Sequence, residues 1–561
     1  MSNALTSKKN DCRSCYKCIR NCPTKSISFE NGQASIIAEE CVLCGKCFLI
    51  CPQNCKEIRN DLGLAKSILK ENEEVYASIA PSFLSSFPEC SFETMKEALL
   101  SLGFTDVEET AIGATIVKKA YDEMLEKGDQ DVIISTCCHS INLLIEKHYP
   151  DAAKYLAPVM SPMRAHGHDI KKRHPNAKVI FIGPCISKKN EIEMYPGQVD
   201  CVLTFLELKQ WLEDANLTVK EDKNPAHLEA SRARLFPTEG GVLMTMDRKA
   251  KDYTYLAVGG MEEAISAIED ILSGKVHKAF IEMNSCVGAC INGPAIPEEN
   301  RRIVSNYLTI KKHAGKEDFA TKAYEHEEIK TQFFAYAKKG KVHSDQEIEE
   351  ILNKIGKHSK KDELNCSSCG YATCRDKAIA VLEGKASLEM CLPYLMEKAT
   401  SLSNEVVNNT DRQIIVCDES LSIQLVNPPM AKLLGYASGN ELIGRKVDEF
   451  LDPSPYALAL SGERVFHKPV DEDRYHVNLI ADVVYDENFH ALIAIYRDVT
   501  EKVERNRIIR EQQAEMARVT TEVIEKNMRT VQEIAQLLGE STAETKVALS
   551  KLQSTLHKEE K

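Results

Sequence analysis

The chain has 561 residues, 43% apolar and 28% charged, with 71 Lys and Arg against 84 Asp and Glu for a formal net charge of −13. That length predicts about three to five domains. An acidic balance without a long basic run speaks against nucleic acid as a partner, and no stretch reaches the ~20 apolar residues of a membrane span. The first ten residues, MSNALTSKKN, lack the apolar core of a signal peptide, so the expected place is the cytoplasm. A secreted disulfide scaffold would be short. The 21 cysteines of this long chain therefore point to metal sites or catalysis in a reducing compartment.

Residues 1–61 contain CRSCYKCIRNCP from Cys12 and CVLCGKCFLICP from Cys41. Both read C-x-x-C-x-x-C-x-x-x-C-P, a repeat offset by 29 residues. Three thiolates of one tight loop hold three corners of a cubane, and the cysteine before proline ligates the other cluster. Cys12, Cys15, Cys18 and Cys51 are assigned to one 4Fe-4S cluster, and Cys41, Cys44, Cys47 and Cys22 to a second. The alternative is structural zinc, made remote by two matched copies. The segment resembles a bacterial two-cluster ferredoxin of α+β fold, which moves electrons.

Residues 72–345 alternate apolar runs with amphipathic stretches. Val75–Ala80, Asp131–Thr136, Lys178–Gly183, Asp200–Phe205 and Lys278–Met283 read as strands. ETMKEALLSL and MEEAISAIEDILSG read as helices, giving an α/β domain with one largely parallel sheet. Three of the strands run into cysteines: Cys137 and Cys138, Cys185, and Cys286 with Cys290. Ligand sites of open α/β sheets lie beyond the carboxyl ends of strands, so these thiols are expected in one pocket. Cys90, Cys201 and Cys417 stand alone and read as buried structural thiols.

The segments STCCHS, GPCISKKNE and EMNSCVGACINGP resemble, in order and spacing, the three signature motifs of FeFe hydrogenases, and YLAPVMSPMRAHGHDIK resembles the stretch between the first two. The resemblance implies an H-cluster, a 4Fe-4S cubane joined through a thiolate to a diiron unit with CO, cyanide and azadithiolate. It implies that Cys138, Cys185, Cys286 and Cys290 hold the cubane, with Cys290 bridging to the diiron unit. Lys188 would hydrogen-bond a cyanide, a buried anion that needs a charge-assisted donor, with Glu191 behind it. Gly288 and Gly293 would let backbone approach the cofactor. Cys137 matches the family's proton-shuttling cysteine, for which a thiol of moderate pKa is expected.

The chain departs from the family around these ligands. His139 and Ile141 stand where catalytic members carry Pro and Trp, and Gly183 and Asn284 stand where methionines are expected. The carboxylates of the usual proton relay have no clear counterpart in IVKKAYDEMLEKG. Slow, reversible chemistry is expected. His139 reads either as an alternative proton acceptor or as a structural residue.

In residues 346–404, Cys366, Cys369, Cys374 and Cys391 are spaced C-x2-C-x4-C-x16-C. The pattern resembles a small helical 4Fe-4S module of anaerobic redox proteins, with zinc the alternative, and it is expected to extend the electron path away from the hydrogenase-like domain. Residues 405–500 read as two strands around a turn and then a helix, and close on Asp498 and Thr500; they resemble an α+β PAS sensor domain of unknown ligand, with His467 and His476 at the surface. Residues 501–561 read as a helical or coiled-coil signalling tail. Met516, Val519, Val523, Met528, Val531, Ile534 and Leu538 form an apolar stripe, Gly539 breaks it, and Ser541–Glu544 is a capping box. No phosphoacceptor histidine lies between His490 and His557.

The expected function is a hydrogenase-like protein that splits H2 reversibly at low turnover and passes electrons along three 4Fe-4S clusters, acting as a hydrogen or redox sensor. It would form a homodimer and signal to a kinase or phosphatase in trans. The alternatives are a working hydrogenase that exchanges electrons with a carrier such as ferredoxin, and an iron–sulfur assembly factor without the diiron unit.

Overall fold

A repeat read from cysteine spacing returns as a repeat in backbone geometry. In the computed structural model, which describes residues 4–8, 11–222, 231–247, 250–322, 324–336, 343–538 and 543–556, Ser14 and Tyr16 of the first loop have positive φ. So do Leu43 and Gly45 of the second, and Lys25 and Asn54 further on. A left-handed non-glycine residue costs of order 1–3 kcal/mol, so the same turn is imposed on both loops despite different residues. Each loop feeds a short helix, Lys17–Arg20 or Lys46–Ile50. Strands β1 (Leu5–Ser7), β2 (Ile27–Glu30), β3 (Gln33–Ile36) and β4 (Lys56–Ile58) brace the loops as two antiparallel pairs, β1 with β4 and β2 with β3.

The central α/β region holds two parallel sheets rather than the single sheet expected from the sequence. Its strands are β5 (Val75–Ile79), β6 (Asp106–Glu109), β7 (Val132–Ile134), β8 (Lys178–Gly183), β9 (Cys201–Thr204), β10 (Thr254–Gly259) and β11 (Ala279–Asn284). One sheet has the order β6-β5-β8-β9 and the other β10-β11-β7. In register, Val75 stands beside Lys178 and Ile79 beside Ile182, while Ala279 stands beside both Val132 and Thr254. β6 and β10 were not read as strands. Both are edge strands: β6 is acidic, and β10 is largely solvent-facing although its TYLAVG carries a short apolar run. The interior strands β5, β8 and β11 are buried nearly throughout.

Residues 1–395 form one compact unit. A single core joins Leu5, Ile19 and Val42 to Val132, Ile134 and Ile141, and to Tyr371 and Met390. The Cys366 loop lies against the ferredoxin-like repeat, with Arg20 donating to the carbonyls of Ser367 and Ser368 and Lys25 Nζ to that of Gly370. The helices Asp345–Lys354 and Cys374–Leu382 open on capping boxes at Ser344 and Thr373.

Residues 396–561 form the second unit. Strands β12 (Gln413–Asp418), β13 (Ile423–Val426), β14 (Val465–Glu472), β15 (Val477–Asp486) and β16 (Ala491–Asp498) make an antiparallel sheet in the order β13-β12-β16-β15-β14. Its core includes Ile415, Cys417, Met430, Tyr456, Leu479 and Tyr496. Asp498 Oδ1 accepts from the Thr500 N–H at 2.8 Å, and Thr500 Oγ1 accepts from the Asn478 N–H at 2.9 Å, which pins the start of the 39-residue helix Thr500–Leu538. Met516, Val519, Val523 and Ile534 of that helix are exposed. A second helix spans Ala543–Leu556; Gly539 and the start of the capping box at Ser541 lie outside the described residues. His467 and His476 are at the surface. No helix among the described residues is long and apolar enough to cross a membrane.

Candidate cofactor cavity and cluster sites

The carboxyl ends of both parallel sheets empty into one cavity. The Ala80 N–H donates to the Ile182 carbonyl and the Ser135 N–H to the Ile281 carbonyl, so strand pairing continues to the residues that line it. Cys137, Cys138, Cys185, Lys188, Glu282 and Cys290 face this space. Cys286 is half-buried and close enough to Cys185, Cys138 and Cys290 for their charges to raise its pKa. Burial, and then these neighbours, push the Cys286 and Cys290 thiols well above the ordinary value. Thiolates gathered at such a place need a cationic partner, so the donor set fits an iron–sulfur cubane.

Cys137 lies beside the thiols without joining them. Its Sγ is 3.4 Å from the Tyr121 hydroxyl, which also accepts from the Thr136 N–H. Burial pushes the Cys137 thiol up to about 12, against the Tyr121 hydrogen bond and the Lys188 charge. The thiol of moderate pKa expected from the sequence is therefore corrected: this group stays protonated at pH 7. Lys188 Nζ donates to the Cys137 carbonyl at 3.2 Å and to Glu191. Burial opposes the Glu191 charge, yet Lys188, His139 and Arg164 hold it at about 2. Glu191 does not line the cavity; it stands behind Lys188.

His139 is 1% exposed and its Nε2–H donates to Asn190 Oδ1 at 3.1 Å. Burial pushes its pKa down to about 4. The ring is neutral at pH 7, which favours the structural reading over the proton acceptor. The other departures also have local causes. A Cβ on Gly183 would sit 2.7 Å from the Phe181 ring, and Phe181 lines the cavity, so an aromatic ring takes space where the family has a methionine. Asn284 donates to Glu282 Oε1 at 3.0 Å, and Glu282 also accepts from the N–H groups of Gly240 and Leu243. Glu282 is a buried carboxylate in the cavity that sequence reasoning missed; burial pushes it up to about 7. The only signal for it was an acidic residue inside an otherwise apolar strand.

Gly288 and Gly293 do not line the cavity. Gly288 has a φ of +77° and a Cβ there would meet Ile303 at 2.9 Å; one on Gly293 would meet Pro184 at 2.8 Å. Both glycines thus have a packing reason.

Three further cavities are each ringed by one assigned set: Cys12, Cys15, Cys18 and Cys51; Cys22, Cys41, Cys44 and Cys47; and Cys366, Cys369, Cys374 and Cys391. Burial pushes Cys41 to about 11 and Cys44 to about 12. Among the described residues, no three His, Cys, Asp or Glu stand placed to hold a single metal ion. Cys55 lines the first cavity as well, its N–H donating to Cys51 Sγ at 3.3 Å, and lay outside any motif. Cys90, Cys201 and Cys417 are buried in apolar cores, as read.

The cavities follow a spatial order. A Cβ on Gly45 would strike Pro294 at 2.5 Å and Ile186 at 3.0 Å, so the Cys41–Cys47 loop is pressed against the neighbours of Cys290 and Cys185. A Cβ on Gly370 would meet Ile19 at 3.0 Å, so the Cys366 loop packs on the helix carrying Cys18. The third set adjoins the ferredoxin-like repeat.

Residues 73–294 match the family described as iron only hydrogenase large subunit, C-terminal domain; residues 4–52 match a 4Fe-4S dicluster domain, and residues 362–393 an Fe-S cluster family. The nuclear prelamin A recognition factor of Xenopus laevis is 24% identical over 347 residues, which cover 48% of this chain and 76% of that protein. The structure of FeFe-hydrogenase HydA1 from Chlamydomonas reinhardtii is similar at a TM-score of 0.39 and 15% identity, over 49% of this chain and 99% of that one. The PAS domain of an HTR-like protein from Haloarcula marismortui is similar at a TM-score of 0.16 and 23% identity, over 18% of this chain and 98% of that one.

Proposed function

From the premise that this chain is a hydrogenase-like iron–sulfur protein, we propose that it splits H2 reversibly and slowly at an H-cluster, and that it serves as a hydrogen or redox sensor. The observation that carries this reading is the joint placement of Cys137 and Lys188 in the cavity of the thiols. A cubane alone needs neither. Cys138, Cys185, Cys286 and Cys290 would hold the cluster. When bound, the H-cluster supplies the redox chemistry that takes H2 apart. Lys188, charged, buried and fixed by Glu191, offers a donor to an anionic ligand in the cavity. Cys137 passes a proton at Sγ, and Tyr121 orients that thiol. Glu282, poised near neutrality, takes or returns a proton on the same side.

Electrons would leave through the Cys22, Cys41, Cys44 and Cys47 cluster, a route that the packing of Gly45 against Pro294 and Ile186 supports. They would then reach the other two clusters, with ferredoxin as an external carrier. The region from 405 to 500 would act as a PAS sensor. The exposed stripe at Met516, Val519 and Val523 would form a homodimer and deliver the signal to a kinase or phosphatase.

The departures at His139, Gly183 and Asn284 favour a second reading, an iron–sulfur assembly factor without the diiron unit. Infrared spectra of protein matured with the hydrogenase assembly enzymes separate the two. CO and cyanide bands that shift under H2 are expected; their absence would leave the second reading. Partner affinity that is equal under H2 and under inert gas would refute the sensor role.

A further inference from the structure

A second polar chain leaves the cavity on the side of the other sheet. Thr110 lines the cavity, and its Oγ1 is 2.8 Å from Ser78 Oγ. Ser78 Oγ is 2.8 Å from His166 Nδ1, and His166 Nε2 is 3.0 Å from Glu108 Oε2. Ser78 and His166 are 0% exposed, whereas the Glu108 side chain is 15% exposed and its partner Arg173 29% exposed. The chain therefore runs from the cavity, through two fully buried groups, to the surface.

Local sequence explains the closeness. Ser78 is on β5 and Glu108 on the neighbouring β6, where the two residues stand in register. A Cβ on Gly113 would lie 2.1 Å from the Pro162 carbonyl and 2.7 Å from His166 Cβ, so glycine lets the helix Ala111–Lys127 press against the helix that carries His166. Thr110 makes no side-chain cap bond to its own helix, so its hydroxyl is not spent there.

The hydrogens have a direction. Burial opposes the Glu108 charge, but His166 and Arg173 hold it at about 2, and a carboxylate only accepts. In the neutral ring, Nε2–H then donates to Glu108 and Nδ1 accepts from the Ser78 hydroxyl. Ser78 Oγ in turn accepts from the Thr110 hydroxyl. Thr110 Oγ1 is left to accept from a donor in the cavity. Glu108, Arg173 and, through Arg173, Asp169 are the charged groups around the ring.

We propose that Thr110, Ser78, His166 and Glu108 form a second proton path between the cavity and solvent, separate from Cys137. A proton arriving at Thr110 Oγ1 forms one O–H bond as Thr110 releases its own proton to Ser78. Ser78 passes its proton to Nδ1, Nε2 gives its proton to Glu108, and water takes it from there; no electrons move. The inference rests on the cavity being the reacting site. The path itself is testable without the diiron unit.

The first arm uses full-length protein carrying its 4Fe-4S clusters but no diiron unit, with 15N-labelled histidine. The exchange of the His166 ring proton with D2O is followed by NMR. Thr110→Val and Ser78→Ala should each slow it at least threefold, because one of its two routes to water is cut, while Thr110→Ser keeps the wild-type rate. A purely structural network exchanges through Glu108 alone, so equal rates in wild type and Thr110→Val would overturn the proposal. The second arm uses matured protein with Cys137→Ser, in which HD formation from H2 in D2O depends on whatever path remains. Adding Thr110→Val should lower it about tenfold, and adding Thr110→Ser should not. Slowed ring exchange with no HD in any variant would refute the hydrogenase reading while upholding the path. HD formation indifferent to Thr110→Val would reject the path as a functional one.

Discussion

The cavity in residues 1–395 and the long helix in residues 500–538 handle unsatisfied chemistry in opposite ways. Around the cavity, buried charges meet other protein charges: Lys188 with Glu191, Lys189 with Asp61 and Glu207, Arg234 with Glu109. What remains open there is inward, a set of thiols and a donor aimed at a guest. The helix pairs its charges along its own surface, as Arg518 does with Glu515, and leaves Met516, Val519 and Val523 exposed. What remains open there is outward and apolar, which marks surfaces built for contact. One region keeps its open chemistry inside a cavity, the other on its outer face.

The comparison breaks most severely at a ligand. Protein expressed without the maturation enzymes should hold four cubanes, ~16 iron atoms. Cys290→Ser should lower this to ~12, and an unchanged iron content would remove Cys290 from the ligand set. The next effect is thermodynamic. Lys188→Met leaves Glu191 charged and buried without its main partner, which should cost about 3–5 kcal/mol in denaturant unfolding. Arg518→Ala on the exposed helix should change stability by nothing measurable, and similar losses at both sites would erase the contrast.

Glu282 sharpens the inward side through pH. Its proton is held to about pH 7 in the fold, whereas the ordinary glutamate value is 4.5. Between these values the folded state binds more protons, so stability falls as pH rises, by about 3 kcal/mol in total. Glu282→Gln should flatten that slope, raising stability at pH 8 and leaving it nearly unchanged at pH 4. An identical slope in both proteins would place the titration elsewhere. Cys137→Ser is a smaller change in energy. It should slow proton exchange about tenfold, about 1.4 kcal/mol of barrier, with iron content intact; loss of a cluster would make Cys137 a ligand. The smallest effect on the cavity is expected from Val519→Asp with Val523→Asp. Sedimentation should show loss of the dimer, with iron content and infrared bands unaltered. A monomeric wild type would end the outward half of the comparison.

Cysteine spacing alone picked out three candidate ligand sets, and each of them rings one cavity, because a cluster loop carries its geometry in a few consecutive residues. The matched φ values at Ser14 and Leu43, and at Tyr16 and Gly45, are that local determination made visible. Strands that run into cysteines were legible for the same reason, since a doubly buried strand is a short apolar run. The division into two sheets was not, because which strands pair is set by tertiary packing and the edge strand β6, DVEE, lacks that signature. Nor were the partners of Cys137. Tyr121 and Glu282 reach it from a helix and a strand far apart in the chain, and Thr110, Ser78, His166 and Glu108 are separated by up to 88 residues. Proton affinity was decided last. The sequence sets which groups titrate, but burial raised Cys137 and Glu282 and lowered His139, and burial exists only once distant segments have excluded water from between them.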